Sequence, residues 1–358
     1  MSMEFDRYTS WVEVSRRALT SNVARFKSRL GPDVRLAAVV KSNAYGHGLV
    51  EASRVMLEAG ADWLAVNSVE ETALLRHAGV QAPILSLAYI PLACLEEAVG
   101  HDLRLTVSNR ETVDRLGAIA GRMKRPARVH IKVETGTNRQ GVRGEELLAL
   151  AQAAARHPYL MLEGLSTHYA NIEDVTEHQF AELTAAALLF PNTFFNLARV
   201  GIGLYGLWPS KETRISALQA GIALNDLEPA LTWKTRVAQI KTVPAGATIG
   251  YGCTDLATQD TRLAVLPVGY YEGYDRKLSS VGYALIRGRR APVRGRVCMN
   301  MIMVDVTSIP AAKLEDEAVL LGRQGEDLIS AETLAGRIGT INYEVVARIN
   351  PLLPRIVV

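Results

Sequence analysis

The sequence predicts an α/β protein in which a parallel (β/α)8-type barrel is followed by a mostly β domain. Two observations support this fold class. Short apolar runs alternate with alanine- and leucine-rich stretches over about 200 residues, which is the pattern and roughly the length of such a barrel. Beyond residue 225 the pattern changes to short alternating strands with closely spaced glycines and prolines, as in an all-β module.

Seven apolar runs are interpreted as buried barrel strands, because each is short, continuous and bounded by turn-forming residues. They span residues 36–41, 63–67, 84–87, 103–107, 129–133, 160–166 and 194–200. A complete barrel has eight strands, and only 23 residues separate Ala170 from Phe194. Two crossovers of at least about 10 residues and a strand of about 5 need slightly more. Either the barrel closes with an irregular unit at residues 171–193 or the sequence lacks a segment there.

The second domain is predicted from strands such as 232–237 and 301–306, in which apolar and polar residues alternate. A further strand at residues 10–14 precedes the barrel. We therefore expect an N-terminal strand segment over residues 1–14, a barrel over 15–225 and a β domain over 226–358.

Composition excludes several classes of function. The 40 basic and 37 acidic residues are spread without long runs, so neither nucleic acid nor an anionic membrane is an expected partner. Cys94, Cys253 and Cys298 are too few and too far apart for a disulfide framework or a zinc site, and no metal is expected. No signal peptide or membrane-length apolar run is present. These features predict a cytoplasmic protein that acts on a small molecule.

The most informative segment is residues 39–48, Val-Val-Lys-Ser-Asn-Ala-Tyr-Gly-His-Gly. It places Lys41 at the carboxyl end of a buried strand, where parallel α/β folds bind ligands. Desolvation by apolar neighbours can lower the pKa of such a lysine, and the neutral amine can then form a Schiff base with a carbonyl cofactor. From the pattern alone, a solvated lysine at a strand end explains the segment equally well.

Six residues of this segment, taken together, resemble the pyridoxal-phosphate lysine motif of bacterial alanine racemases: Lys41, Asn43, Tyr45, Gly46, His47 and Gly48. Motifs farther along extend the resemblance over nearly the whole chain. It implies pyridoxal 5'-phosphate as cofactor, an activity that interconverts L- and D-alanine, and a supply of D-alanine for peptidoglycan. It also implies that the strand at residues 10–14 joins the β domain.

The resemblance assigns further residues to the cofactor. Arg199, in Phe-Asn-Leu-Ala-Arg-Val-Gly-Ile-Gly, matches the family arginine that faces the pyridine nitrogen. A permanent cation at that place disfavours a protonated ring and so limits side reactions. Gly201 and Ile202 follow with backbone N–H groups that suit a phosphate, and Tyr45 matches the phosphate-binding tyrosine.

Four more positions are matched with cofactor or substrate roles. His168 corresponds to the histidine that packs on the cofactor ring, and Arg139 to the arginine that reaches the cofactor's phenolic oxygen and the substrate carboxylate. Lys132 aligns with a lysine that is carbamylated in some racemases, although an unmodified lysine explains the sequence equally well. Thr184 is the candidate replacement for the family's phosphate-binding serine, whose segment is shortened here.

Racemisation needs a base on each face of the substrate's α-carbon. Lys41 is expected to serve one face, and Tyr251 matches the family's second base, whose phenolate needs nearby cations or hydrogen bonds. Tyr270 and Met299 match residues that narrow the substrate pocket. In the family these three come from the partner subunit, so the resemblance implies an obligate head-to-tail homodimer.

Two departures weaken the expectation of strict alanine specificity. Asn300 stands where many members have aspartate, and Pro351 stands where well-known members have a pocket tyrosine. A racemase of broader specificity therefore stays open, and an inactive or weakened variant stays open because of the shortened barrel at residues 171–193. A non-catalytic cofactor carrier is disfavoured by the β domain, and a decarboxylase of the same architecture is disfavoured by Arg199, because such enzymes place an acidic residue there.

Overall fold

The computed structural model describes residues 7–169, 179, 182–184, 196–219 and 227–358. A first strand, β1 (Ser10–Val14), precedes the barrel. The barrel strands are β2 (Arg35–Val39), β3 (Trp63–Val66), β4 (Ile84–Ser86), β5 (Leu103–Val107), β6 (Ala127–Lys132), β7 (Leu160–Ser166) and β8 (Leu197–Val200). They form one parallel sheet in the order β7-β6-β5-β4-β3-β2-β8. All seven predicted barrel strands are confirmed, although residues 194 and 195 of the last one lie outside the described residues.

The last barrel strand returns to lie beside the first. Strand β8 pairs in parallel with β2, in a register that places Arg199 opposite Ala37. Strands β7 and β8 are consequently the two ends of the sheet, and among the described residues no strand pairs with the outer side of either. The shortened stretch at residues 171–193 lies mostly outside the described residues, apart from Gln179 and 182–184, which are helical.

Helices connect many of the strands, and several of them begin at polar caps. They are α1 (Arg16–Lys27), α2 (Leu49–Glu58), α3 (Val69–His77), α4 (Leu95–Gly100), α5 (Arg110–Met123), α6 (Gly144–Ala155), α7 (Lys211–Gln219), α8 (Ala331–Ile338) and α9 (Asn342–Ala347). Side-chain oxygens of Ser15, Ser68 and Asn109 accept backbone N–H bonds at the starts of α1, α3 and α5. Such caps satisfy donors that a helix end leaves unpaired. Across the part of the chain described, no helix has both the length and the apolar character needed to cross a membrane.

The second part of the chain is built mainly on antiparallel strands. They are β9 (Leu231–Arg236), β10 (Gln239–Val243), β11 (Thr248–Ile249), β12 (Asp255–Leu256), β13 (Thr261–Leu266), β14 (Tyr283–Ile286), β15 (Arg289–Arg294), β16 (Ile302–Asp305), β17 (Glu317–Gln324), β18 (Asp327–Ile329) and β19 (Arg355–Val357). Strand β1 pairs antiparallel with β9 and parallel with β19, so the start of the described chain lies within this sheet. The two strands predicted from alternation, at 232–237 and 301–306, correspond to β9 and β16.

The turn after β2 has a left-handed backbone. Ser42, Asn43, Ala44 and Tyr45 have φ values of 57°, 54°, 52° and 52°. Each such residue costs roughly 1–2 kcal/mol relative to right-handed backbone, so the surrounding structure must hold the turn. The N–H of Gly48 donates to the Asn43 carbonyl at 3.0 Å, and Asn43 Oδ1 accepts the Leu49 N–H at 2.9 Å, where α2 begins.

Side chains from two directions complete this turn. The buried His47 ring places Nδ1 at 3.1 Å from both the Ala44 and the Tyr45 carbonyl oxygens. Arg355 Nε donates to the Gly46 carbonyl at 3.1 Å from the far end of the chain. Gly46 also packs directly on α9, because a Cβ at this position would lie 2.0 Å from the Val346 carbonyl oxygen. The turn is therefore held by contacts that the β domain provides.

Gly46→Ala should destabilise the protein more than a matched substitution at Gly79. Both glycines have φ of 85°, so each alanine carries the same backbone penalty of about 1 kcal/mol, but nothing lies within 4 Å of a Cβ at Gly79. The contact with Val346 adds a clash only at Gly46. We expect thermal unfolding of Gly46→Ala at a clearly lower midpoint than that of Gly79→Ala. Equal midpoints would show that the packing of the turn on α9 does not limit stability.

Candidate active site

The candidate site lies at the carboxyl end of the barrel sheet. Lys132 ends β6, Arg199 lies near the end of β8, and Lys41 and His168 follow β2 and β7 within two residues. Because these strands are parallel, their carboxyl ends meet at one edge. The groups are close enough to act on one another electrostatically, since the charges of Arg139 and Arg199 influence both lysines. The structure therefore brings together five of the residues selected from sequence.

Lys41 has a lowered pKa, which is one of the two alternatives that the sequence left open. Burial is the largest cause, and the cationic Arg139 and Arg199 lower the pKa further. The carboxylate of Glu71 acts in the opposite direction. The balance increases the fraction of neutral amine at Nζ, which is the form that acts as nucleophile and base.

Lys132 is 7% exposed and more strongly perturbed. Burial first, and then the charges of Arg199 and Arg139, lower its pKa to about 7, against the influence of Glu134. Partial desolvation and the same group of cations lower the pKa of His168 to about 4. At neutral pH His168 is consequently an uncharged imidazole beside several cations.

Arg199 spans the two ends of the barrel sheet. Its Nη2 donates to the carbonyl oxygen of Thr167, which follows β7, while Arg199 itself belongs to β8. Thr167 Oγ1 in turn donates to the Val133 carbonyl at 3.0 Å and lies 2.7 Å from Thr135 Oγ1. Burial lowers the pKa of the Arg199 guanidinium, although arginine keeps its charge in proteins. This bond fixes the guanidinium at the candidate site and links the two end strands.

Arg139 is presented by a loop that Glu134 organises. The carboxylate of Glu134 accepts the N–H of Gly136 at 2.5 Å and the N–H of Arg139 at 3.3 Å. Burial raises the Glu134 pKa, but backbone N–H groups of the loop, Asn138 first, lower it on balance. The sequence analysis missed Glu134. A carboxylate two residues before a glycine in the predicted loop was the available signal.

Tyr45 and Gly201 form a small cradle. A Cβ at Gly201 would lie 2.6 Å from the Tyr45 hydroxyl oxygen, so only glycine leaves that space free. Burial, followed by the nearby Tyr343, raises the pKa of Tyr45 to about 12, which keeps its hydroxyl protonated as a donor. Tyr205 packs against Tyr45 with ring centroids 5.1 Å apart, and its hydroxyl donates to the Val39 carbonyl at 2.8 Å.

These residues fit a phosphorylated carbonyl cofactor. The cradle offers the Tyr45 hydroxyl together with the backbone at Gly201 and Ile202, where a short turn begins. The neutral amine of Lys41 suits covalent attachment, and the cations of the site suit an anionic ligand. Thr184 lies in the described helical piece 182–184 and is half-buried. Its neighbouring residues on the carboxyl side lie outside the described residues, so its phosphate role stays a prediction.

The three β-domain residues that match family site residues are exposed on this chain. Tyr251, Tyr270 and Met299 are 71%, 43% and 54% exposed. The segments of Tyr270 and Met299 are adjacent, because the Tyr270 N–H donates to the Cys298 carbonyl at 3.1 Å. A Cβ at Gly252, next to Tyr251, would lie 3.2 Å from the Arg296 guanidinium, in the strand connection that leads to Met299. Five large side chains in these segments are exposed: Tyr251, Tyr270, Tyr271, Met299 and Met301.

The two positions that depart from the family pattern are also described. Asn300 Nδ2 donates to Glu272 Oε1 at 2.7 Å, and Pro351 is exposed beside Leu352. Within the residues that the structure describes, no group of three or more histidine, cysteine or acidic side chains is placed to hold a metal ion.

Both parts of the chain match models of one protein family. Alanine racemase, N-terminal domain, matches residues 14–187, and alanine racemase, C-terminal domain, matches residues 230–357. Alanine racemase of Leptospira interrogans is 40% identical, covering 99% of this chain and 97% of the relative. That of Halothermothrix orenii is 38% identical, covering 97% of this chain and 96% of the relative.

The match with the Leptospira protein also shows a difference in length. It extends over 381 aligned positions, whereas the whole chain has 358 residues, so that relative carries at least 23 residues that this chain lacks.

Solved structures agree with the family models. Alanine racemase from Bacillus anthracis, with bound L-Ala-P, has a TM-score of 0.88 at 33% identity and covers 98% of this chain and 95% of that chain. Histidine racemase from Leuconostoc mesenteroides has a TM-score of 0.88 at 25% identity and covers 99% of both. Family models that match most of the chain, together with full-length relatives at about 40% identity, lead to one conclusion. The chain belongs to the alanine racemase family.

Proposed function

We propose that this protein is a pyridoxal-phosphate-dependent racemase that interconverts L- and D-alanine. The observation that carries the proposal is the half-buried Lys41, whose pKa is lowered at the strand ends where Arg199 and the Tyr45–Gly201 cradle also lie. The alanine racemase family depends on this cofactor. When bound, pyridoxal phosphate supplies an electron-withdrawing ring that stabilises the negative charge developing at the substrate's α-carbon.

In this proposal each barrel residue has one task. Lys41 Nζ anchors the cofactor and, once released, takes or returns the α-proton on one face. Tyr45, Gly201 and Ile202 hold the phosphate, and Thr184 is proposed to assist. Arg199 is proposed to face the pyridine nitrogen. Because its guanidinium is a permanent cation, it keeps that nitrogen unprotonated.

The other barrel residues orient the reacting groups. His168, uncharged at neutral pH, packs on the cofactor ring without adding to the cations around it. Arg139 binds the substrate carboxylate with its planar guanidinium and also reaches the cofactor's phenolic oxygen.

We infer that the opposite face is served by Tyr251 of a second copy of the chain. Tyr251, Tyr270 and Met299 are exposed on the protomer rather than packed at the barrel site, which supports a head-to-tail homodimer in which they complete the neighbouring site. Tyr251 Oη then exchanges the proton on one face while Lys41 exchanges it on the other. Tyr270 and Met299 narrow the pocket around the substrate side chain.

The biological role follows from the reaction. We propose that the protein acts in the cytoplasm and supplies D-alanine for peptidoglycan. A broader-specificity racemase is the second candidate, supported by the likeness to a histidine racemase and by the departures at Asn300 and Pro351. An inactive variant is the third, because each end strand of the barrel sheet is paired on one side only among the described residues.

The direct test combines cofactor attachment with optical activity. Borohydride reduction of the purified protein, followed by peptide mass spectrometry, should locate the cofactor on Lys41. Incubation with either alanine enantiomer should give the racemic mixture, while Lys41→Ala should lose both results. Parallel incubations with L-histidine and L-serine distinguish the broader racemase. Cofactor on Lys41 without racemisation of any amino acid would support the inactive variant.

Tyr251→Phe should act on one enantiomer only. Removing the phenol abolishes proton exchange on its face, so α-deuterium uptake from L-alanine should fall by about 10²-fold or more while uptake from D-alanine stays measurable. Deuterium uptake is followed by NMR in D2O. Tyr271→Phe, which changes another exposed tyrosine without an assigned role, is the control and should behave as wild type. Equal loss from both enantiomers would contradict the two-base assignment.

Mixing two inactive variants decides which subunit supplies Tyr251. Lys41→Ala and Tyr251→Phe subunits, co-expressed in equal amounts, give mixed dimers in about half of the population, and each mixed dimer contains one intact site. Recovery of about a quarter of the wild-type racemase activity is expected. No recovery would show that Lys41 and Tyr251 act within one chain.

Lys132 is proposed to be carbamylated. Only the neutral amine reacts with carbon dioxide, and the pKa of Lys132 is lowered to about 7, so the neutral form predominates above that pH. The carbamate signal in ¹³C NMR with labelled bicarbonate should therefore grow between about pH 6 and pH 8. Lys132→Met should remove the signal and Lys41→Met should retain it. A signal that is lost in Lys41→Met instead would overturn the assignment.

A further inference from the structure

Glu71 makes an unusual use of a helix-capping pattern. Ser68, Val69, Glu70 and Glu71 have the spacing of a capping box, in which the glutamate side chain bonds the N–H of the capping serine. One half of the pattern is present, because Ser68 Oγ accepts the Glu71 N–H at 3.3 Å. The carboxylate, however, does not bond the Ser68 N–H.

The Glu71 carboxylate instead joins the ends of two neighbouring strands. Its Oε2 accepts the N–H of Asn67, which follows β3, at 2.8 Å. Its Oε1 accepts the N–H of Ser42, which follows β2 and Lys41, at 2.5 Å. Strands β2 and β3 are paired in the sheet, so one carboxylate bridges their carboxyl ends. Both bonds use an ionised acceptor and are therefore stronger than neutral hydrogen bonds.

The Ser42 bond lies at the start of the left-handed turn. Ser42 is the first of the four consecutive residues with positive φ, and Tyr45 is the last. Lys41 lies before the bond and the phosphate cradle lies after it. The bond to the Ser42 N–H therefore fixes the backbone between Lys41 and Tyr45, from which both of these side chains project.

The same carboxylate is the charge that offsets the cations around Lys41. The charged groups at the site that face Lys41 are Arg139 after β6, Arg199 on β8 and Glu71 on α3, with Lys132 and His168 near the same strand ends. Arg139 and Arg199 favour loss of the ammonium proton, and Glu71 favours its retention. The Glu71 carboxylate thus has two effects that can be separated: its charge raises the pKa of Lys41, and its hydrogen bonds hold the backbone at Ser42 and Asn67.

We propose that Glu71 is a positioning residue of the site, which holds the left-handed turn through Ser42 so that Lys41 and Tyr45 face the cofactor together. The role of the cofactor in this inference rests on the proposed function. A glutamine cannot replace Glu71, because its amide has one acceptor oxygen for two N–H donors and no charge. An aspartate keeps the charge but is one methylene shorter, so it cannot reach both donors.

Two measurements on the full chain freed of cofactor test this inference. Titration with pyridoxal 5'-phosphate should show affinity weakened by about tenfold or more in Glu71→Gln, from loss of a charge-assisted bond. Labelling of Lys41 by an amine-reactive reagent, quantified by mass spectrometry against pH, should move its midpoint to lower pH, because the charge that retains the ammonium proton is gone. Glu70→Gln, which removes one charge from the adjacent exposed position, should change neither.

A second variant separates position from charge and covers a folding failure of Glu71→Gln. Glu71→Asp should keep the labelling midpoint close to that of wild type while its cofactor affinity falls as in Glu71→Gln. Wild-type affinity in Glu71→Asp, or both readouts in Glu71→Gln equal to those of Glu70→Gln, would overturn the inference. Absence of racemase activity would contradict the proposed function. The labelling comparison could still be interpreted, because Lys41 labelling requires no catalysis.

Discussion

The left-handed turn at Ser42–Tyr45 is the constraint on which the candidate site depends. Four non-glycine residues in this conformation are unfavourable in isolation, so the turn persists only through the contacts around it. Those contacts come from α3, from the buried His47 and from Arg355 and α9 of the second part of the chain. The barrel lysine is thus positioned in part by residues more than 300 positions away.

Electrostatic crowding is the second organising feature. Lys41, Lys132, Arg139 and Arg199 gather at one edge of the sheet, where burial and mutual repulsion favour the neutral forms of the two lysines. Arginine keeps its charge under the same conditions, so the site combines permanent cations with amines whose neutral form is favoured. This division suits a site that binds anionic groups with its arginines and uses its lysines as nucleophiles or bases.

Arg199 also has a structural part in the barrel sheet. Its bond to the Thr167 carbonyl joins the ends of β7 and β8, which carry no further partner strand among the described residues. At least 23 residues of the Leptospira relative have no counterpart in this chain. A single buried guanidinium therefore does two things here, fixing a cation at the site and linking the strands on either side of the shortened region.

Local residues were sufficient to predict the seven parallel strands, the β domain after them and the motif around Lys41, because burial imposes patterns that neighbouring residues display directly. For Lys41, the sequence left a lowered pKa and a solvated lysine equally open, and the surroundings in the fold favour the lowered pKa. Three features were seen only in the folded chain: the left-handed backbone, the organising role of Glu134 and the bridge made by Glu71. Each of these depends on hydrogen bonds or contacts between groups brought together by folding, and a capping pattern such as Ser68 to Glu71 does not disclose that its carboxylate bonds a neighbouring strand end instead.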